Sequence, residues 1–323
     1  MIVSYAELAG TLERGLVAVG LDADRARRCA QLIADSTRDG VPSHGLNLFP
    51  RVVSMIRSGA IDPHARAVRV ATHGALERWD GGRGIGALNA YDAMAAAIAR
   101  ARATGIACVA LGNTSHWMRG GSYGWQAADA RTIGLCWTNT LPNLPPWGCD
   151  SPRIGNNPFV VAVPRASGHV VLDMAMSQFS YGALAGYRAR GEKLPVAGGF
   201  DRDGHLTDDP AAIEASRRPL PIGFWKGSGL SIVLDIIAAA LAGGQATHEI
   251  PADPERETGL SQVFIAIDAA SLAGADVERI ADEVIASVQA RYPGERTLAA
   301  RRQHLCDGIE VDDDAWAVAR ALT

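Results

Sequence analysis

The apolar spacing of this chain changes twice along its length, and that change limits the fold more than any other feature. Up to residue 57 the spacing is helical. Ser4-Tyr5-Ala6-Glu7 has the spacing of a capping box, and helices are expected over residues 22–38, stopping at Gly40, and 46–57, stopping at Gly59. Between these two lies the short connection Val41-Pro42-Ser43-His44-Gly45. After Pro63 short β-prone runs, at residues 68–71, 106–111, 133–138, 159–163, 170–173 and 262–267, alternate with helical stretches at 87–103, 176–190 and 228–242. From residue 276 the chain is helical again, over 276–291, 296–305 and 312–321. This order predicts a mixed α/β (α+β) fold. A helical domain is built from both termini, residues 1–72 and 275–323, beside a mixed-sheet domain over residues 73–274.

Composition removes several classes of function. The formal charge is −4 with Lys and Arg dispersed, so no electrostatic footprint for nucleic acid or an anionic membrane is expected. The run 230–242 is short for a bilayer and contains Asp235, and reads as a buried helix. The N-terminus carries neither the basic region nor the apolar run of a signal peptide. None of the five cysteines forms a CxxC pair, which predicts a reduced, cytoplasmic protein with its cysteines buried as small apolar residues. No metal-ligand spacing, HExxH, GxSxG or P-loop occurs, so no metal is expected.

The densest chemistry lies in residues 112–125, where His116, Arg119, Asn113 and several hydroxyls share a glycine-rich turn after the 106–111 strand. Loops after strands are where a rigid scaffold presents reactive groups. Arg119 suits a carboxylate or phosphate through its planar fork, and a solvated loop arginine is its ordinary alternative. Gly82, Gly84 and Ala87 match the GxGxxA form of a dinucleotide fingerprint, but the preceding run Leu76-Glu77-Arg78-Trp79-Asp80 is too charged for a buried first strand. A tight turn is expected there. His44, beside Ser43, has the proton affinity needed to protonate a carbonyl being reduced by hydride, and Gly45 lets a ligand approach the backbone. Thr138-Asn139, Pro145-Pro146-Trp147-Gly148 and Gly155-Asn156-Asn157-Pro158 are polar turns bracketing the same strands. In Trp225-Lys226-Gly227-Ser228-Gly229, Lys226 and a helix N-terminus suit a phosphate, with Ser228 as a plain N-cap the alternative.

Taken together, Ser43-His44-Gly45, Gly112-Asn113-Thr114-Ser115-His116, Thr138-Asn139, Pro146-Trp147-Gly148 and Pro293-Gly294-Glu295 resemble, in this order, the malate/L-lactate dehydrogenase-like oxidoreductases. The likeness covers essentially the whole chain. Within that family the run from His116 to Ala128, Phe179-Ser180-Tyr181-Gly182, Leu194-Pro195-Val196 with Gly198-Gly199-Phe200, and Trp225-Lys226-Gly227-Ser228-Gly229 are similar to the diketogulonate-reducing branch. The resemblance implies a homodimeric reductase using NADH or NADPH on a non-Rossmann mixed sheet. It implies hydride transfer to the 2-oxo group of a sugar-derived acid, with His44 as proton donor and Ser43 beside it. It places His116, Arg119, Leu48 and Asn139 at the substrate. Cofactor contacts fall on His169, Val170, Val171, Leu172, Asp173, Met174 and Ala175, on Trp225 and Lys226, and on Gly294, Glu295 and Arg296.

Two departures bear on specificity. The family pattern Ser-His-Gly-x-x-Arg carries an arginine for the substrate carboxylate, and here that position is Leu48, with Arg119 or Arg51 the available substitutes. Arg296 stands where relatives carry an acidic residue; it would favour the 2′-phosphate of NADP or lie in solvent. Reduction of a cyclic imino acid such as Δ1-piperideine-2-carboxylate is a second reading, helped by the apolar Leu48, and a malate- or lactate-type dehydrogenase another. A third, from a different class, is a catalytically idle nucleotide-binding protein, against which Ser43, His44, His116 and Lys226 argue.

Overall fold

Residues 1–272 and 276–323 are described by the computed structural model, so the expected boundary at 274/275 lies outside the described residues. In chain order the elements are β1 (Ile2–Val3), α1 (Tyr5–Ala18), α2 (Ala23–Arg38), α3 (Phe49–Arg57), β2 (Val68–His73), β3 (Leu76–Asp80), α4 (Gly86–Thr104) and β4 (Ile106–Ser115). They continue with α5 (Gly121–Asp129), β5 (Ile133–Thr138), β6 (Phe159–Val163), β7 (Val170–Met174), α6 (Tyr181–Ala189), β8 (Gly199–Phe200), β9 (Leu206–Thr207) and α7 (Pro210–Ser216). The last are α8 (Trp225–Ala242), β10 (Thr258–Ile267), α9 (Val277–Val288), α10 (Glu295–Asp307), β11 (Ile309–Glu310) and α11 (Asp313–Ala321).

The two ends of the chain meet. β1 pairs antiparallel with β11, and Leu8, Leu12 and Leu16 of α1 share one buried cluster with α2, α3 and Trp316 of α11. Ser4 caps α1, its Oγ accepting from Glu7 N at 3.1 Å, as the capping-box spacing predicts. α10 joins α2 through polar contacts, Arg301 to Asp39 and His304 to the Arg38 carbonyl. α9 lies elsewhere: it has no buried residue, and Arg131, Arg165 and the Ala166 amide hold it at the far ends of β5 to β7.

Between these ends runs a seven-stranded sheet of order β2-β3-β4-β10-β5-β6-β7. Only β3 and β4 are parallel, joined by the crossover helix α4; every other pairing is antiparallel. This is the mixed, non-Rossmann sheet expected. α4 and α5 cover one face with a core including Trp117, Tyr123 and Phe264, while α8 lies on the other against Trp137 and Val263.

The structure departs from the sequence expectations at definite places. Leu76–Asp80 is a strand despite its charges, because it sits near the sheet edge and Glu77 accepts from Trp79 and Arg69. β4 runs on to Ser115, so the first residues of the 112–125 segment are strand. α6 begins at Tyr181, capped by Ser180, because the amides of Met176 and Gln178 donate to Asn156 and Leu220. Cys149 and Cys306 are exposed, unlike Cys29 and Cys136. Asp201, Asp203 and His205 form a cluster of metal-ligand types, but Asp201 Oδ1 accepts the amides of Asp203 and His205, a turn arrangement complete in itself.

The largest correction concerns α8. It begins at Trp225, Ser228 lies inside it rather than capping it, and only Leu234, Ala238 and Ala242 of its apolar residues are buried, against the sheet. Val233 is 50% exposed and Ile236 61%, on one stripe with Leu230, Ile237 and Leu241. Among the described residues it is the one helix long and apolar enough to cross a membrane by length and composition.

Candidate active site

His44 ends a 3-10 turn, Pro42–His44, directly after α2. The next residue must be glycine, because a Cβ on Gly45 would stand 2.3 Å from Thr37 Oγ1 and 2.8 Å from Thr37 N. Thr37 Oγ1 accepts the Leu46 amide at 2.9 Å, so Gly45 admits α2 rather than a ligand, a correction to its expected role. Ser43 Oγ lies 3.1 Å from His44 Nδ1. On its other side Ser43 meets Gly182 at the start of α6, where a Cβ would come within 2.7 Å of Ser43 Cβ.

His116 follows β4. Gly86 fixes its backbone, since any Cβ there would collide with the carbonyls of Ser115 and His116 at 2.1 and 2.3 Å. The glycine turn is thus the tight turn expected: Gly82 and Arg83 have φ of +58° and +55°, and Asp80 Oδ1 accepts the Gly82 amide. Met118 N donates to His116 Nδ1 at 3.1 Å, which assigns the proton of the neutral ring to Nε2. The His44 and His116 rings are nearly stacked, 6.1 Å between centroids and 25° between planes.

Both imidazoles border one cavity of about 790 Å³. Its other walls are mixed: Thr140, Asn143, Asn156, Ser180 and Tyr181 offer hydroxyl and amide groups, Arg51 and Arg217 cations, and Leu48, Leu141 and Pro142 apolar surface. Asn156 Oδ1 accepts from Thr140 Oγ1 and Asn143 Nδ2, and Tyr181 OH donates to the Asn143 carbonyl at 3.1 Å. Burial pushes the His116 imidazole down to about 4 and lowers that of His44. At His44 the Asp173 carboxylate opposes the desolvation and the Arg119 guanidinium reinforces it.

Two expected substrate contacts are overturned. Arg119 is only 5% exposed, donates to Asp39 Oδ2 at 2.9 Å, and is absent from the walls of this cavity. Asn139 is fully buried: its amide donates to Asp235 and the Gln245 carbonyl while its Oδ1 accepts from Ser261 N, which leaves no polar atom for a substrate. Arg51 does line the cavity, with its Nε on the Pro254 carbonyl and its Nη2 on Glu257 at 2.7 Å. Sequence reasoning missed Glu257, a buried carboxylate that also accepts the Leu141 amide. Nothing near it in sequence separates it from its solvated neighbours Glu255 and Arg256.

The family model for malate/L-lactate dehydrogenase matches residues 3–319. The chain belongs to that family. A 2,3-diketo-L-gulonate reductase of Escherichia coli O17:K52:H18 is 45% identical, over 100% of both chains. Among solved structures, a Δ1-piperideine-2-carboxylate reductase from Pseudomonas syringae superposes with a TM-score of 0.89 at 29% identity over 100% of both chains. Sulfolactate dehydrogenase from Methanocaldococcus jannaschii gives 0.90 at 27%, over 100% of this chain and 96% of the other. The protein is an oxidoreductase of a family that uses a nicotinamide cofactor.

In this member of the malate/L-lactate dehydrogenase family the three segments expected at the cofactor converge on β7, the outer strand of the sheet. Val171 N donates to the Pro293 carbonyl at 2.9 Å, and Gly294, with φ +99°, leaves its Cβ position 3.0 Å from the His169 carbonyl. At the other end Ile222 N donates to the Met176 carbonyl, which brings Trp225 and Lys226 beside the continuation of β7 through Ala175. Val170, Leu172 and Met174 complete the strand, and Asp173 Oδ2 accepts the Gly121 amide at 2.8 Å. These residues fit a dinucleotide. Lys226 has no ionic partner among the described residues and stands in the first turn of α8, a setting for phosphate. Glu295 Oε2 is buried without a hydrogen-bond partner, as an acceptor awaiting a hydroxyl would be. Arg296 is exposed in the first turn of α10.

Proposed function

We propose that this enzyme reduces the 2-oxo group of a sugar-derived acid, 2,3-diketo-L-gulonate to 3-dehydro-L-gulonate. The observation that carries this reading is the His44 cavity, where a Ser-supported imidazole faces a wall of hydroxyl and amide groups suited to a polyhydroxylated chain. The bound nicotinamide supplies the hydride. His44 gives its proton to the substrate oxygen, and Ser43 Oγ orients the ring through Nδ1. His116 Nε2–H is a fixed neutral donor, held uncharged by burial. Trp225, Lys226, Gly294, Glu295 and residues 169–175 hold the cofactor.

The test is oxidation of NADH and of NADPH by the purified protein against 2,3-diketo-L-gulonate, pyruvate and Δ1-piperideine-2-carboxylate. Turnover of the diketo acid at least about tenfold above the others supports the assignment, and turnover of pyruvate or of none removes it. A second reading, reduction of a cyclic imino acid, is favoured by one observation: Leu48 lines the cavity where the family arginine would stand. Turnover of the imine alone would select it. Leu48→Arg separates the two readings. It should raise kcat/KM on 2-oxo acids by about tenfold or more, since a bidentate carboxylate pair contributes roughly 2–5 kcal/mol in a desolvated site. Unchanged kinetics would show that Arg51 already does this work.

A proton donor with lowered affinity makes reduction acid-favoured. Burial holds His44 below its ordinary value, so its charged fraction grows as pH falls through and below 6.5. The kcat/KM for reduction should therefore rise from pH 8 towards pH 6, and a flat profile would remove His44 as the donor.

The exposed stripe of α8 supports a homodimer. An apolar row of this length is rarely left in water, and Asp235 on the opposite side is tied to Asn139 and Thr247 within the chain. Ile236→Asp, which places a charge at the centre of the stripe, should convert a dimer to a monomer by light scattering. A dimer surviving it, or a monomeric parent, would refute this interface.

A further inference from the structure

A second cavity, of about 780 Å³, lies between α2, α4, α5 and α10, and five arginines and three aspartates line it. One carboxylate, Asp39, serves three of the cations, Arg38, Arg119 and Arg301. Asp35 closes on Arg38 and accepts from Tyr5, and Asp129 lies 3.0 Å from His169. Arg28 and Arg102 have no carboxylate partner among the described residues: Arg28 lies over the Tyr91 ring at 4.6 Å, and Arg102 reaches only the Ala130 carbonyl. The lining therefore carries more guanidinium than its own acids consume.

The α5 wall has a matching shortage of acceptors. Trp125 Nε1, on a residue only 6% exposed, is buried with no hydrogen-bond partner, while Arg119 Nε, just before α5, has only the Asp173 oxygen 4.0 Å away. Buried donors are almost always satisfied, so the Trp125 indole calls for an acceptor at this wall. Arg301 stacks its guanidinium 4.5 Å from the Trp125 ring centroid, keeping the fork at the same wall. Planar guanidinium forks match carboxylate and phosphate oxygens in pairs. None of residues 169–175, 225–226 or 294–296 lines this cavity, nor does His44.

We propose that this cavity is a binding site for a small multivalent anion bearing carboxylate or phosphate groups, separate from the substrate cavity. Arg28 and Arg102, both exposed at its rim, supply the uncompensated charge, and the α5 wall supplies the neutral and shared donors.

Calorimetric titration of the full chain with pyrophosphate and with citrate tests this without requiring turnover, so it stands apart from the substrate assignment. One saturable site per chain is expected, weakened about tenfold or more in an Arg28→Gln/Arg102→Gln double variant, with NADH-dependent turnover unchanged. The same titration is expected in the presence of saturating NADH. Competition by NADPH alone would identify the anion as the adenosine 2′-phosphate, the other source of the same chemistry. Absence of saturable heat, affinity unaffected by the double variant, or displacement by NADH would overturn the proposal.

Discussion

Replacing His44 by glutamine should lower kcat for reduction by about 10²–10⁴-fold while NADH binding, followed by fluorescence, stays within about twofold. The reason is geometric. His44 lines the cavity expected to take the substrate, whereas the nucleotide is held along residues 169–175, 225–226 and 294–296, so the imidazole is not needed to hold the nucleotide. Ser43→Ala is the companion variant. It removes only the Oγ at 3.1 Å from Nδ1, and should cost far less, with a displaced pH profile rather than a lost activity. Equal loss of nucleotide binding and turnover in His44→Gln would mean a structural histidine, and would remove the mechanism proposed here.

Asp39→Ala should be the most destabilising single change outside the core, by about 3–5 kcal/mol, read as the shift in the urea midpoint. The Asp39 side chain is 2% exposed and joins α2 to the turn before α5 and to α10 through Arg119 and Arg301. Without it Arg119 is a buried cation with only the Asp173 oxygen, 4.0 Å from its Nε, as an ionic partner. Burial alone would raise the Asp39 carboxyl. The Arg301 hydrogen bonds and the charges of Arg119, Arg301 and Arg38 outweigh it and hold the group below the usual carboxylate range. A depressed carboxylate contributes its stability above its unfolded value, about 3.9, and loses it as pH falls through the folded value. His116 adds a second acid-sensitive contribution. Its folded value of about 4 lies below the ordinary 6.5, so the unfolded chain takes up its proton first as pH falls from about 6.5 to 4. Parent stability should thus decline in two stages on acidification, and Asp39→Ala should lack the lower one. A midpoint shift equivalent to less than about 1 kcal/mol would mean water replaces the carboxylate and the three-arginine junction is not what joins these helices.

Much of the scaffold is legible in the sequence. β5 and β6 occupy the expected 133–138 and 159–163, because their unbroken apolar runs are bounded by turn residues. Ser4 and the Gly82 turn behave as their local chemistry dictates, since a cap or a left-handed turn involves only a few neighbouring residues. Errors gathered where a side chain's partner lies far along the chain. β3 was hidden because its charged residues are neutralised by strand neighbours at the sheet edge. α8 has the composition of a core helix, and only its position on the outside of the sheet shows the exposed stripe. Arg119 looked like a free fork in a glycine-rich loop, but its carboxylate comes from 80 residues earlier.

By itself, then, the sequence determined the order of helices and strands, the mixed sheet, and the residue types at His44, Ser43 and His116, because those follow from spacing, caps, turns and resemblance. Tertiary structure alone decided which polar residues are free to act. Asn139 is spent on Asp235, Gln245 and Ser261, whereas Thr140, next to it, lines the cavity. Glu257 meets Arg51 across 206 residues, and Asp39 gathers three arginines from three helices or turns. Availability is set by burial and by distant hydrogen-bond partners, and neither is a property of a residue's sequence neighbours.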